Sequence, residues 1–375
     1  MQNIILFESN PDVSCNSYEV YRYLLNNNMF QDFKIVWMVN NPSKYIPDHR
    51  TTYIKINPEN MEGKVKKYIL CSRSKILIDC NRHYSNIRTS KKQLNIYLEH
   101  GMPLKKIGNI FDKPLELGCD YIVSQAYYFN KYLMKEYELN DKQIFVGGVP
   151  RNDQFYKEPK SLSPLFNDID QFEKIIAWVP TFRSIRETGR IDCESNQPLG
   201  MPIIYSETDI ITLENSLKKL NVLLVIKPHP VQDLSVLKEL NCHNIRVLYN
   251  DDMLSKNIHT NEFLVNCDAM ITDYSGIYYD FLLTDRPIAI TLDDYEEYKE
   301  QKGFVFDDPL EVLKGYYVFT LSDMIEFIQS VCDGKDDYYE ERQKIKKLTN
   351  DYFDGKSCKR VCEFIKMKYD EIWNS

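Results

Sequence analysis

The sequence has no run approaching the roughly 20 consecutive apolar residues that a bilayer crossing needs. Its opening, Met1-Gln2-Asn3-Ile4-Ile5-Leu6-Phe7-Glu8, has neither a charged n-region nor a cleavage site. The expectation is a chain neither secreted nor membrane-spanning by its own signals. Glycine is scarce, 13 in 375 residues, and neither G-x-x-x-x-G-K-[ST] nor G-x-G-x-x-G occurs, which excludes a Walker or dinucleotide-binding fingerprint. The 10 cysteines contain no C-x-x-C pair, and the closest spacing, Cys358 with Cys362, has no partner pair, so a zinc site is not expected. Several lie in apolar runs that read as core, and the cysteines are expected to be reduced and buried. Base is outnumbered by acid, 47 Lys and Arg against 55 Asp and Glu, a net charge of −8. That balance argues against nucleic acid as a partner and leaves a local basic patch between Lys64 and Lys92.

What is present is an ordinary globular balance, 43% hydrophobic and 27% charged, in a length suited to two domains. Short β-branched runs alternate with amphipathic stretches, the pattern of α/β architecture with parallel sheets. Strands are predicted over 3–8, 34–39, 53–56, 76–80, 94–98, 121–124 and 144–146, with helices over 17–25, 62–72 and 127–138. A polar, proline-bearing stretch over 157–164 reads as a linker. A second series follows, with strands over 175–179, 222–226, 245–248, 269–271 and 288–290 and helices over 209–220 and 277–283. The predicted division is an α/β domain over 1–155, a second α/β domain over 165–335 and a helical tail over 336–375 packing back on the first domain. Two doubly wound, Rossmann-like domains facing a central cleft would put the carboxyl ends of both sheets around it, where nucleotide-type ligands sit.

The unusual residues gather in loops that follow strands. His100-Gly101 follows the strand ending at Leu98, a place suited to a general base near neutral pH; a histidine there also serves as a turn cap. Lys227-Pro228-His229-Pro230 holds a second histidine between two prolines that fix the backbone. In Thr272-Asp273-Tyr274-Ser275-Gly276-Ile277, Ser275 is placed to cap the following helix, and the amides of Gly276 and Ile277 to face an anion. Pro180-Thr181-Phe182-Arg183 offers a guanidinium fork to a phosphate, whereas Arg151 and Asp153 read as joining the domains. Asp293-Asp294 and Asp307-Asp308 read as solvated loops.

In order, Phe7-Glu8-Ser9, His100-Gly101-x-Pro103-Leu104-Lys105, Pro150-Arg151-Asn152-Asp153, Pro180-Thr181-x-Arg183, His229-Pro230, Thr272-Asp273-Tyr274-Ser275 and Asp280-Phe281 resemble the CDP-glycerol glycerophosphotransferases of teichoic acid and capsule synthesis. Arg286-Pro287 and Gly303-Phe304 extend the resemblance. It departs at Glu99, where the family commonly has tryptophan, at Met102 in place of threonine and at Gly276 in place of a second serine. The resemblance implies a GT-B-like fold, CDP-glycerol or CDP-ribitol as donor, and a lipid-linked glycan or polyol-phosphate polymer as acceptor, met at the inner face of an anionic membrane surface. His100 and His229 are then the expected catalytic residues. Gly101, Lys105, Thr181, Arg183, Lys227, Pro230, Asp273, Ser275, Gly276, Ile277 and Asp280 are the expected substrate contacts, Asp280 toward a hydroxyl. With no Asp-x-Asp pair in a plausible site, no metal is required, and magnesium stays open as a counter-ion. A glycosyltransferase using a nucleotide sugar and a nucleotide-binding regulator without turnover are the alternatives.

Overall fold

The computed structural model describes residues 1–80, 89–106, 118–181, 183–185, 190–191, 197, 199–228 and 242–373. Two parallel sheets organise them, one in each of two units. Among the described residues, the first unit holds Met1–Met102, Phe111–Lys157 and Thr349–Ser375, and the second holds Pro103–Ile110 and Glu158–Leu348.

In the first unit β1 (Gln2–Glu8), β2 (Lys34–Val39), β3 (Thr51–Lys55), β4 (Ser74–Asp79), β5 (Leu94–Tyr97), β6 (Tyr121–Ser124) and β7 (Ile144–Val146) form one sheet in the order β3-β2-β1-β4-β5-β6-β7. Every neighbouring pair is parallel. Parallel strands covered on both faces read as continuous apolar runs, and Ile5-Leu6-Phe7 and Trp37-Met38-Val39 are fully buried. Helices α1 (Cys15–Asn26), α2 (Met61–Arg73) and α3 (Tyr127–Tyr137) lie between strands.

The second sheet is built from β8 (Lys174–Val179), β11 (Val222–Ile226), β12 (Ile245–Val247), β13 (Ala269–Thr272), β14 (Ile288–Thr291) and β15 (Tyr316–Val318), in the order β12-β11-β8-β13-β14-β15 and again all parallel. A two-residue hairpin, β9 (Ser184–Ile185) with β10 (Arg190–Ile191), stands apart from it. Helices α4 (Glu207–Leu220), α5 (Asn250–Ser255), α6 (Thr260–Leu264), α7 (Ile277–Phe281), α8 (Tyr295–Gln301), α9 (Leu321–Cys332) and α10 (Tyr339–Thr349) complete the unit. Strand β15 and the hairpin are additions to the predicted elements.

The tail predicted from residue 336 divides. Residues through Leu348 stay with the second unit, while α11 (Ser357–Trp373) belongs to the first. Its Val361, Cys362 and Ile365 join the core formed by Val20 and Leu24 of α1, and Phe364 stacks on Phe145 at 3.9 Å. Asp153 caps this helix, accepting from the amides of Ser357 at 2.7 Å and Cys358 at 2.8 Å, a device that stabilises a helix by about 1 kcal/mol.

Candidate functional site

In the second sheet the winding reverses between β8 and β13, so the loops leaving those strands diverge and open the place where α/β sheets bind ligands. Thr181 leaves β8 and Asp273 leaves β13. Asp273 Oδ1 accepts from the Thr181 amide at 3.0 Å and from its hydroxyl at 2.5 Å. Arg183 Nη1 donates to Asp273 Oδ2 at 2.9 Å and to the Thr181 carbonyl at 2.8 Å. Its Nε and Nη2 donate to Asp294, at 2.5 and 3.0 Å. The Tyr274 hydroxyl adds a further bond to this group, donating to Asp294 Oδ1 at 3.0 Å. The guanidinium lies 5.1 Å from the Tyr274 ring and 5.0 Å from that of Tyr298. Burial opposes its charge, but Asp273 and Asp294 outweigh that and push its pKa up.

Four expectations change here. Arg183, expected to face a phosphate, is only 5% exposed and its donors are engaged inside the protein, because two carboxylates from loops far apart in sequence close on it. Asp293 and Asp294 are not solvated: Asp294 is buried against Arg183, and Asp293 accepts from the Tyr205 hydroxyl at 2.6 Å, with burial raising its pKa. Ser275 is not the N-cap; Gly276 holds that position, and the Ser275 carbonyl accepts from the Tyr278 amide at 3.1 Å. The helix it precedes is five residues long, so few aligned peptides stand behind the amides of Gly276 and Ile277. Ser275, Gly276 and Ile277 are half-buried. Asp280, expected to reach a ligand hydroxyl, is fully buried.

Lys105 bridges Phe304 as an isolated antiparallel pair, and Val305 donates to the Leu104 carbonyl at 3.0 Å. Gly303 sits at φ +73°, a backbone conformation that residues with a Cβ rarely adopt. Phe304 packs edge-on against Tyr274, 5.3 Å away. Four motifs distant in sequence, those of Lys105, Thr181, Asp273 and Phe304, thus form one connected cluster. Lys227 follows β11 half-buried, its amide donating to the Trp178 carbonyl at 2.8 Å. His229 and Pro230 lie outside the described residues.

In the first unit His100 and Gly101 follow β5, and the His100 side chain is 49% exposed. Asn16, at the start of α1, ties this loop down: its Nδ2 donates to the Glu99 carbonyl at 2.7 Å and its Oδ1 accepts from the Arg151 amide at 3.0 Å. Arg151 Nη1 donates to the His100 carbonyl at 2.5 Å and lies 3.1 Å from Cys15 Sγ. The hydrogen bond from Cys80, with help from Arg151, holds the Cys15 thiol well below its ordinary range, while burial drives that of Cys80 up. Sequence reasoning missed Asn16, Cys15 and Asp294 and gave Glu99 no role. Their signals were weak, since nothing local marks a polar residue as buried. Among the described residues no group of three or more His, Cys, Asp or Glu side chains is placed to hold a metal ion.

Two parallel α/β units with polar clusters at their strand ends define an α/β protein of the doubly wound class, whose ligands sit at the carboxyl ends of the strands. The chain belongs to the CDP-glycerol:poly(glycerophosphate) glycerophosphotransferase family, whose model matches residues 1–367, and is accordingly a CDP-polyol phosphotransferase. It is 25% identical to the teichoic acid glycerol-phosphate primase of Bacillus subtilis (strain 168), over 96% of this chain and 90% of that protein. It is 23% identical to the teichoic acid ribitol-phosphate primase of Bacillus spizizenii, over 67% of this chain and 60% of that protein. The solved structure of the wall teichoic acid polymerase TagF has the same fold, with a TM-score of 0.74 at 18% identity over 99% of this chain and 90% of that one.

Proposed function

We propose that this chain transfers glycerol phosphate from CDP-glycerol to a hydroxyl of a lipid-linked glycan or teichoic-acid-like polymer, releasing CMP. The observation that carries the reading is the half-exposed imidazole of His100, held at a strand end by buried polar contacts in a chain of this family. The acceptor hydroxyl attacks the phosphorus that bears glycerol, an O–P bond forms, the bond to CMP breaks, and His100 takes the hydroxyl proton. The donor's charge falls to Lys227, His229 and the loop Ser275-Gly276-Ile277, with Gly101 and Lys105 lining the donor or acceptor. Thr181, Arg183 and Asp273 brace the loops beneath. Measuring CMP release from CDP-glycerol, CDP-ribitol and a panel of UDP-sugars tests this. Turnover confined to a UDP-sugar would replace it with the glycosyltransferase reading, and turnover confined to CDP-ribitol would change the donor alone.

The acceptor calls for a membrane surface, and among the described residues no helix is long and apolar enough to cross one. The reading is peripheral attachment through α2. Its inner side, Leu70 and Cys71, packs on the sheet, whereas Met61, Val65, Tyr68 and Ile69 are 71, 49, 58 and 42% exposed. Exposed Lys64, Lys66 and Arg73 accompany this stripe, against a single acid, Glu62. That combination suits a helix lying in an anionic lipid interface. Two cations expected in the patch serve elsewhere: Lys67 Nζ donates to the Ile56 carbonyl at 2.5 Å, and Lys75 lies 4.2 Å from the Trp373 ring. Each surface cation contributes on the order of 1 kcal/mol to attachment, fading with salt. Lys64→Glu/Lys66→Glu/Arg73→Glu is expected to abolish sedimentation with phosphatidylserine vesicles at low salt; equal recovery of both proteins with the vesicles overturns the assignment.

A further inference from the structure

We propose that Glu99 is a positioning residue for His100, its buried carboxylate accepting the imidazole Nδ1–H so that Nε2, across the ring, is the atom left to take a proton. The inference rests on the reading of His100 as the base. Glu99 has no exposed surface, although a carboxylate in apolar surroundings is costly unless its oxygens are bonded. Its Oε1 accepts from the Tyr137 hydroxyl at 2.5 Å. Its Oε2 accepts from the His100 amide at 2.8 Å and lies 3.4 Å from His100 Nδ1. The last separation is long for a hydrogen bond, as catalytic pairs are before substrate draws them together.

The backbone supports the same assignment. Glu99 sits at φ +55°, the left-handed region that costs a residue with a Cβ roughly 1–2 kcal/mol. The strain is sustained by Asn16 Nδ2, which donates to the carbonyls of both Leu98, at 3.2 Å, and Glu99. In this conformation the side chain folds back over the next residue, which brings Oε2 to the backbone amide and the Nδ1 of His100. The other charged and titratable groups nearby are Arg151, on the His100 carbonyl, Cys15 behind Arg151, and Tyr137. A neutral histidine has two tautomers, and an acceptor at Nδ1 selects the one whose Nε2 is basic. The same carboxylate stabilises the imidazolium formed when the acceptor proton arrives.

The test is imidazole ¹⁵N spectroscopy on the full chain, labelled on its six histidines, in alkaline buffer, with the His100 signals assigned by their loss in His100→Gln. The parent is expected to hold His100 in the Nδ1–H form. Glu99→Leu is expected to pass the majority to Nε2–H, and Glu99→Gln, whose oxygen still accepts, to retain Nδ1–H. Tyr137→Phe, which removes a different donor from the same carboxylate, is expected to leave the tautomer alone, and these last two variants carry the test if Glu99→Leu does not fold. In transfer assays Glu99→Leu is expected to lower kcat by at least roughly tenfold with the donor KM unchanged. A parent already in the Nε2–H form, or one tautomer shared by parent and Glu99→Leu, overturns the pairing. So does a loss confined to KM. The tautomer is read whether or not transfer occurs, so failure of the pairing and failure of the transferase reading are separate results.

Discussion

At the end of β5 a buried carboxylate, Glu99, sits against a side chain that remains half in solvent, His100. At the end of β8 a buried guanidinium, Arg183, is enclosed by Asp273, Asp294 and two tyrosine rings. Both loops carry motifs that sequence reasoning assigned to substrate, and both use a buried charge. In the first unit the buried partner supports a group that faces outward. In the second every member of the network is inside, so the network shapes the loop backbone around it. A motif residue beside a ligand site therefore acts directly or through the loop it holds, and burial distinguishes the two.

The largest effect should come from the enclosed network. Arg183→Ala leaves two buried carboxylates without their cation, and breaking a buried pair in this way costs about 3–5 kcal/mol. Urea unfolding is expected to show an early transition, with donor binding lost alongside it. A variant that unfolds like the parent and loses only CDP-glycerol affinity would break the comparison and return Arg183 to the ligand. His100→Ala should behave in the opposite way. Turnover is expected to fall roughly 100-fold or more, about 2.7 kcal/mol of transition-state stabilisation. The unfolding midpoint and CDP-glycerol affinity by calorimetry should stay near parental values. Near-normal transfer would remove His100 from the base role.

The parallel sheets were legible because their strands are short β-branched runs, such as Val222–Ile226, separated by helical spacing. The family was legible because its motifs keep their order along the chain. Strand β15 was not, since Tyr316-Tyr317-Val318 is three residues long and sets up no period. Asp294 escaped for another reason. Adjacent acids are usually solvated, and the arginine that buries this one lies 111 positions away, a distance over which no local pattern speaks. Glu99 was visible as a departure from the family, but only the fold shows that its carboxylate lies inside, under Tyr137 and beside His100. Residue type and order indicate where a site lies; burial and pairing decide which of its residues face the ligand.

The smallest effect sharpens the comparison by repeating its chemistry at the surface. Arg246 grips Asp168 with two bonds of 2.6 Å, and its guanidinium lies 5.5 Å from the Phe166 ring and 5.4 Å from that of Phe172. Unlike Arg183, both partners keep about a fifth of their side-chain surface in water, so screening reduces the pair to about 1 kcal/mol. The Arg246 hydrogen bonds lower the Asp168 carboxyl to about 2. A carboxyl depressed on folding contributes its full stabilisation above the ordinary carboxylate range and loses it as pH falls through the folded value. Parent and Asp168→Asn are therefore expected to differ by about 1 kcal/mol in urea unfolding at pH 6, with the gap closing from pH 4 toward 2. Molar salt should also shrink this gap while leaving the Arg183→Ala defect largely intact. If the Asp168→Asn difference matched that of Arg183→Ala, or held in acid and in salt, pairing rather than burial would be what makes an arginine structural in this unit.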